Sequence, residues 1–414
     1  MAKPEIRLKG FEGDWVRESF SSSFQFLKNN SLSRAELNYE KGNAKNVHYG
    51  DVLIKFGEIL DISCSSLPFI SNNEIAVKQA KESFLQNGDI VFADAAEDNT
   101  VGKCSEIQGM TSKDRVVSGL HTIPCRPTKN FEKGYLGYYL NSNPYHNQLL
   151  PMIQGTKVSG ISKGNLSSTR ITYPNSSSEQ QGIADYFKSL DLMIQGVIKK
   201  IASLKQMKQA CLVSMFPQAG ETTPRVRFKG FKREWVNTKL GDVFSERVES
   251  NINGEMLSVT MNSGIIKASE NGRFDNSNSD KSHYKVVKIN DIAYNSMRMW
   301  QGASGCSPYE GIVSPAYTVI TPSEGINSQF FAYMFKTLAL IKVFRLHSQG
   351  LTSDTWNLKY PAFSKIRVYY PKDLVEQQQI ASFFRSMDSQ ISLQEARLEK
   401  LKQIKAACLD KMFV

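Results

Sequence analysis

The chain has 414 residues, of which 41% are hydrophobic and 22% charged, with six cysteines and a net charge of +11. This is enough apolar material for ordinary cores in roughly two to four domains, and it excludes a disordered chain. No leader opens the sequence and no apolar run could span a bilayer, so a soluble, cytoplasmic protein is expected. The cysteines include no C-x-x-C pair, which argues against structural zinc and a disulfide framework.

In chain order, the first feature is PEIRLKGFEGDWV (4–16), which returns as PRVRFKGFKREWV (224–236). Later, EQQGIADYFKSLD (179–191) returns as EQQQIASFFRSMD (376–388), and LKQMKQACLVSMF (204–216) as LKQIKAACLDKMF (401–413). Across 179–216 and 376–413, 18 of 38 paired positions are identical. The chain is therefore a tandem duplication. The offset falls from 220 at the opening repeat to 197 at the closing one, so the middle of the second copy is 23 residues shorter. Similar ends around dissimilar middles read as one frame holding two different readers. The boundaries this gives are 1–175, 176–216, 217–223, 224–372 and 373–414.

The middles carry short β-rich runs, VLIKF (52–56), DIVFA (89–93), YKVVKI (284–289) and YTVIT (317–321), between clusters of Gly, Asn and Ser. Helical patterning is confined to LGYYLNSNPYHNQLL (136–150) and FFAYMFKTLALIKVF (330–344). Two α/β domains on mainly antiparallel sheets are predicted, α+β overall. Each copy then ends in a long helix. Apolar residues recur in steps of three and four from Ile183 to Met215, and again from Ile380 to Met412. A helix of roughly 36 residues rises about 54 Å, so its stripe needs a partner of matching length, and the other copy's helix supplies one. The predicted seam is Leu190, Ile194, Ile201 and Leu204 against Met387, Ile391, Leu398 and Leu401, as an antiparallel coiled coil with a pseudo-twofold axis. The alternative is that each helix packs on its own domain.

Charge is uneven. Residues 1–175 carry +2 and residues 224–372 carry +8. One strongly basic domain is the footprint of a polyanion, since each Lys or Arg near a phosphate releases counterions; a solvated basic surface is the plain alternative. Chemistry of the chain's own is not visible. No two of the 27 glycines stand two apart, which removes the dinucleotide and S-adenosylmethionine loops. GTKVSGIS (155–162) has phosphate-loop spacing with Ile where lysine must sit, and NPY (143–145) lacks the second proline of an amino-methyltransferase motif. None of the 40 acidic residues is followed two positions later by lysine, and the five histidines show no ligand spacing. Catalytic and metal-ligating residues are therefore assigned to none.

The duplicated R-F-K-G-F…W-V openings, the G-D-I strand, the Q-G…I-S loop and the helices opening E-Q-Q-x-I-A-x-F-F-x-S-x-D resemble the specificity subunit of a type I restriction–modification enzyme, over essentially the whole chain. The resemblance implies a non-catalytic subunit with two target-recognition domains, separated by conserved helices that dock two modification subunits. Those partners would bind S-adenosylmethionine and methylate adenine, and restriction subunits would bring ATP- and Mg-dependent translocation. The partner implied is double-stranded DNA with a split target, and no membrane. In the second domain, RMWQG (298–302) would supply Arg298 and Gln301 as base readers and Trp300 as a stacking or wedge residue. LTSDTWNLK (351–359) would place Thr352, Ser353 and Lys359 near phosphates. The counterparts in the first domain are EDNTVGK (97–103) and TKVSGISK (156–163), with Asn99, Lys103, Lys157, Ser159 and Lys163. Core burial is the alternative for Trp300, and a free surface lysine for Lys157 and Lys163. Two other functions stay open: a protein-interaction scaffold without direct DNA contact, and an enzyme with an unrecognised site.

Overall fold

A computed structural model describes residues 3–78, 83–155, 157–261, 264–271, 280–352 and 355–414. The chain folds as two compact units, one of Met1–Ile198 with Ala396–Val414, the other of Lys199–Glu395. Each is built to the same plan. The strand after the opening repeat pairs antiparallel with the strand that leads into the long helix: Val16–Ser19 with Arg170–Tyr173 in the first unit, Val236–Lys239 with Arg367–Tyr370 in the second. The two ends of each middle region are thereby stitched together.

The main sheet of the first unit runs Phe24–Phe26, Thr122–Pro127, Ile90–Ala93, Cys104–Gln108 and Ile59–Asp61, antiparallel except for the last pair. That of the second runs Phe244–Glu246, Tyr317–Pro322, Ile292–Asn295 and Ser304–Cys306, antiparallel throughout. Four strands correspond one to one, and the first unit's longer middle contains the fifth. GDIVF (88–92) in the first copy and NDIAY (290–294) in the second match each other and lead into an inner strand of each main sheet, Ile90–Ala93 and Ile292–Asn295. The aspartate of each is buried and does the same work. Asp89 takes both Arg126 nitrogens at 2.7 Å and caps the Gln86 amide, while Asp291 takes Arg247 at 2.7 and 3.1 Å and caps Lys288.

Two local predictions differ from the structure. VLIKF (52–56) does not form a strand; its first three residues end the helix Tyr49–Ile54. The His48 ring caps the Gly50 amide, buried Asp51 pairs with Arg34 and with Lys55 one turn on, and Ile54 points into solvent. Local capping and charge pairing override β propensity here. The helical runs 136–150 and 330–344 each break in two, as Tyr135–Leu140 with Asn143–Leu149 and Ser328–Met334 with Leu338–His347. The break falls at the extended N-cap residues Ser142 and Thr337: the Thr337 hydroxyl accepts from the Leu340 amide, while after Ser142 it is Pro144 in the first turn that favours a new helix start.

The long helices are Ser177–Ser214 and Leu374–Lys411, 38 residues each, which is about 57 Å at 1.5 Å per residue. They pack antiparallel. In the first unit Ile183, Phe187 and Leu190 share a core with Met412, Phe413 and the partly buried Leu401, Ile404 and Cys408. In the second, Ile380, Phe384 and Met387 share one with Leu212, Met215 and Phe216. The ring pairs repeat as well: Phe187 stacks on Phe413 at 5.6 Å and Phe384 on Phe216 at 5.8 Å. Of the predicted seam, Leu190, Ile194, Ile201, Leu204, Met387 and Ile391 are buried, and Leu398 and Leu401 half-buried. Met207, also on the stripe, is 49% exposed.

Candidate nucleic-acid interface

The duplicated motifs tie each unit's long helix to its domain. Arg7, from the opening repeat, makes a two-pronged pair with the buried Glu179 of the first E-Q-Q at 2.7 and 2.8 Å, and Arg227 does the same with Glu376. The next residue bridges strand end and domain: Gln180 donates to the Pro174 carbonyl and accepts from the Glu132 amide, and Gln377 does so with Pro371 and Asn327. The aspartate that closes the motif anchors the helix to the domain. Asp191 accepts from the Tyr138 hydroxyl and Lys405, and Asp388 from the Tyr333 hydroxyl and Lys208, with both hydroxyl distances 2.8 Å. Each lysine also sits over its tyrosine ring, at 5.6 and 5.5 Å.

On the second unit, the two predicted segments meet. The Leu358 amide donates to the Ser296 carbonyl at 2.8 Å, and Trp300 and Trp356 touch edge to face at 5.3 Å. Met299–Gln301 form a single 3-10 turn closed by Gly302 at φ 81°, a conformation that favours glycine. Arg298 and Gln301 are exposed on it, and the Arg298 side chain has no bonded partner among the described residues. Trp300 is not a free stacking platform. It is half-buried, its Nε1–H donates to the Met297 carbonyl at 3.0 Å, and its neighbour Trp356 carries the Arg345 guanidinium 5.0 Å above the ring. Thr352 and Lys359 are exposed, and Ser353 lies outside the described residues. Arg345 joins this surface, missed in sequence because its helix places it there.

On the first unit the two segments also meet: Ser159 and Gly160 pair antiparallel with Ala96 and Ala95. Asn99 and Lys157 are exposed. Lys163 opens the helix Lys163–Ser168, with its ammonium 5.7 Å over the Phe26 ring and 3.4 Å from the Leu27 carbonyl. Lys103 departs from expectation. Its ammonium turns inward to the Leu53 carbonyl at 2.9 Å, and burial pushes its pKa down. Beside these residues lies a polar cleft of about 670 Å³, lined among others by Lys28, Asn29, Asn30, Asp94 and His121. His121 sits at φ 53° and bonds Asp94 at 3.2 Å, while Tyr49 packs edge-on to it at 5.3 Å. Burial raises the Asp94 carboxyl despite that histidine. These residues come from separate loops, and no spacing in the sequence joins them. Among the described residues, no set of three His, Cys, Asp or Glu is placed to hold a metal ion, and no helix is long and apolar enough to cross a membrane.

The sequence matches the type I restriction modification DNA specificity domain twice, over residues 24–206 and 232–403. The chain belongs to that family. The fold agrees: the S subunit of the type I restriction-modification system from M. genitalium superposes with a TM-score of 0.58 at 14% identity, over 100% of this chain and 99% of that one. A chain from a structure on complex assembly and conformational transition of the type I R-M system gives 0.56 at 14% identity, over 98% and 99%. No curated protein matches the chain. In this specificity chain the two matches bracket the two surfaces just described, so each match carries its own candidate reading face.

Proposed function

We propose that this chain is the sequence-reading subunit of a type I restriction–modification complex and reads a two-part DNA target, one half per recognition domain. The observation that carries the reading is the double frame: the same Arg–Glu clamp, glutamine bridge and Tyr–Asp–Lys anchor hold two surfaces whose exposed residues differ. A frame said twice serves a partner bound twice. Segments 1–175 and 224–372 then act as target-recognition domains, 176–216 and 373–414 as spacer helices, and 217–223 as a linker. In this reading two modification subunits dock on the paired helices and supply the adenine methylation with S-adenosylmethionine. Restriction subunits join with ATP and Mg, and this chain contributes no catalytic group.

The base contacts follow from side-chain chemistry. Arg298 offers the two-pronged donor set that favours guanine, and Gln301 the donor–acceptor pair that favours adenine, while Lys359 and Arg345 suit backbone phosphates. Methylation mapping of a host genome expressing the chain with its modification subunits tests the reading directly. It expects one interrupted motif, methylated on adenine, whereas an uninterrupted motif or none would overturn it. Native mass spectrometry of the purified complex checks the partners, with two modification subunits per chain expected.

A further inference from the structure

The two units differ at one matched position next to the reading face. Tyr138 and Tyr333 occupy equivalent places, each donating to the closing aspartate of its E-Q-Q motif. Three residues later, just before the N-cap Ser142 or Thr337 of the next helix, stand Asn141 and Lys336. Asn141 ties its helix end to the sheet with neutral groups. It donates to the Cys104 carbonyl at 2.8 Å and the Gly137 carbonyl at 2.7 Å, and accepts from the Cys104 amide at 3.0 Å. Lys336 reaches the corresponding place with an ammonium, donating to the Gly302 carbonyl at 2.9 Å and to that of Met261.

Gly302 is the hinge of the second reading turn. Its amide donates to Met299 at 2.8 Å, and the Arg298 carbonyl accepts from the amides of Gln301 and Ala303. The Gly302 carbonyl also accepts from the Ser304 amide at 2.9 Å. It belongs to the peptide whose Ala303 amide holds the Arg298 carbonyl at 3.2 Å, so fixing it fixes the closure of the turn that carries Arg298 and Gln301. We propose that Lys336 is the positioning residue of the second recognition domain, holding the Arg298–Gln301 turn in its reading geometry through the Gly302 carbonyl. This rests on the base-reading role proposed above for that turn.

Lys336 makes no ion pair among the described residues. The charged groups that act on it are Lys208 from the first long helix and Asp388 from the second, which pair with each other; the reading turn and Met261 present carbonyls. Burial first, then the Lys208 charge, pushes its pKa down to about 8. An ammonium bonds carbonyls more strongly than a neutral amine, so the second turn loosens as pH rises through that value. The first domain, tied by the Asn141 amide, has no such group at this position.

The test uses the full chain with its modification subunits and duplexes carrying the mapped target, either intact or with one half scrambled. Discrimination is read as the ratio of affinities at pH 7 and pH 9. In the wild type, discrimination of the second half should fall between these values while that of the first stays level. Lys336→Met should lower second-half discrimination by about tenfold at pH 7, the scale of one lost base contact, and make it flat with pH. Lys336→Arg should keep it high and flat. Thermal unfolding of each variant separates positioning from misfolding, because a folding defect lowers both halves together. The inference is overturned if a folded Lys336→Met complex keeps second-half discrimination, or loses both halves equally. If the wild type discriminates neither half, the reading beneath the inference falls as well.

Discussion

Arg7 and Glu179 stand 172 positions apart and form one fully engaged ion pair, with the carboxylate almost wholly out of solvent. The repeat told us that both ends were duplicated; only the structure shows that the two repeats grip each other. Arg7→Met should destabilise the first unit by about 3–5 kcal/mol, since it strands a buried carboxylate. Adding Glu179→Leu should restore most of that loss, and urea unfolding of the two variants checks it. Arg298→Ala should weaken recognition of one half-target only, by about 1–3 kcal/mol, in binding to duplexes with one half scrambled. Equal loss at both halves would remove Arg298 from the reading face. Trp300 and Lys103 show where residue-type reasoning stops. A tryptophan and a lysine in polar loops look available in sequence, yet one ring is occupied by Trp356 and one ammonium by the Leu53 carbonyl.

At the scale of elements, the long helices were the most legible parts of the chain, because a stripe recurring over ten turns leaves little freedom of phase. Leu190→Asp with Leu204→Asp places two charges where both side chains are only 4% exposed. The pair should cost several kcal/mol and abolish assembly with modification subunits, as seen by size-exclusion chromatography. Lys405 makes the helix-to-domain anchor sensitive to alkali. Burial lowers its pKa, but Glu58 and Asp191 outweigh that and hold it above the ordinary 10.5. A lysine raised in this way contributes stability that is complete below pH 10.5 and lost as pH rises through the folded-state value. Melting temperatures from pH 9 to 12 should therefore fall more steeply in the wild type than in Lys405→Met. The short elements were less legible. VLIKF reads as a strand until Arg34, 17 positions earlier, pairs with Asp51 just before it, and the split helices turn on single residues, the Thr337 cap and Pro144, that periodicity does not register.

For the whole molecule, the strand pairs Val16–Ser19 with Arg170–Tyr173 and Val236–Lys239 with Arg367–Tyr370 close each recognition region on itself. A region closed at its base can be exchanged without disturbing the frame. Replacing residues 237–366 by those of a family member should change one half of the methylated motif and leave the other half and the spacing as they were, by genome methylation mapping. Change in both halves would argue against independent readers.

The duplication, the two long helices, the mainly antiparallel class of the domains and the family are legible along the chain, because each is written there as repetition or period. Which loops share a surface emerges only when the chain is folded. The polar cleft of Lys28, Asp94 and His121, the meeting of Trp300 with Trp356, and the hold of Lys336 on Gly302 join residues whose separation carries no period. Local pattern encodes which face of an element is buried; the crossing of strands and helices encodes which exposed residues become neighbours, and a reading surface is made of the second kind.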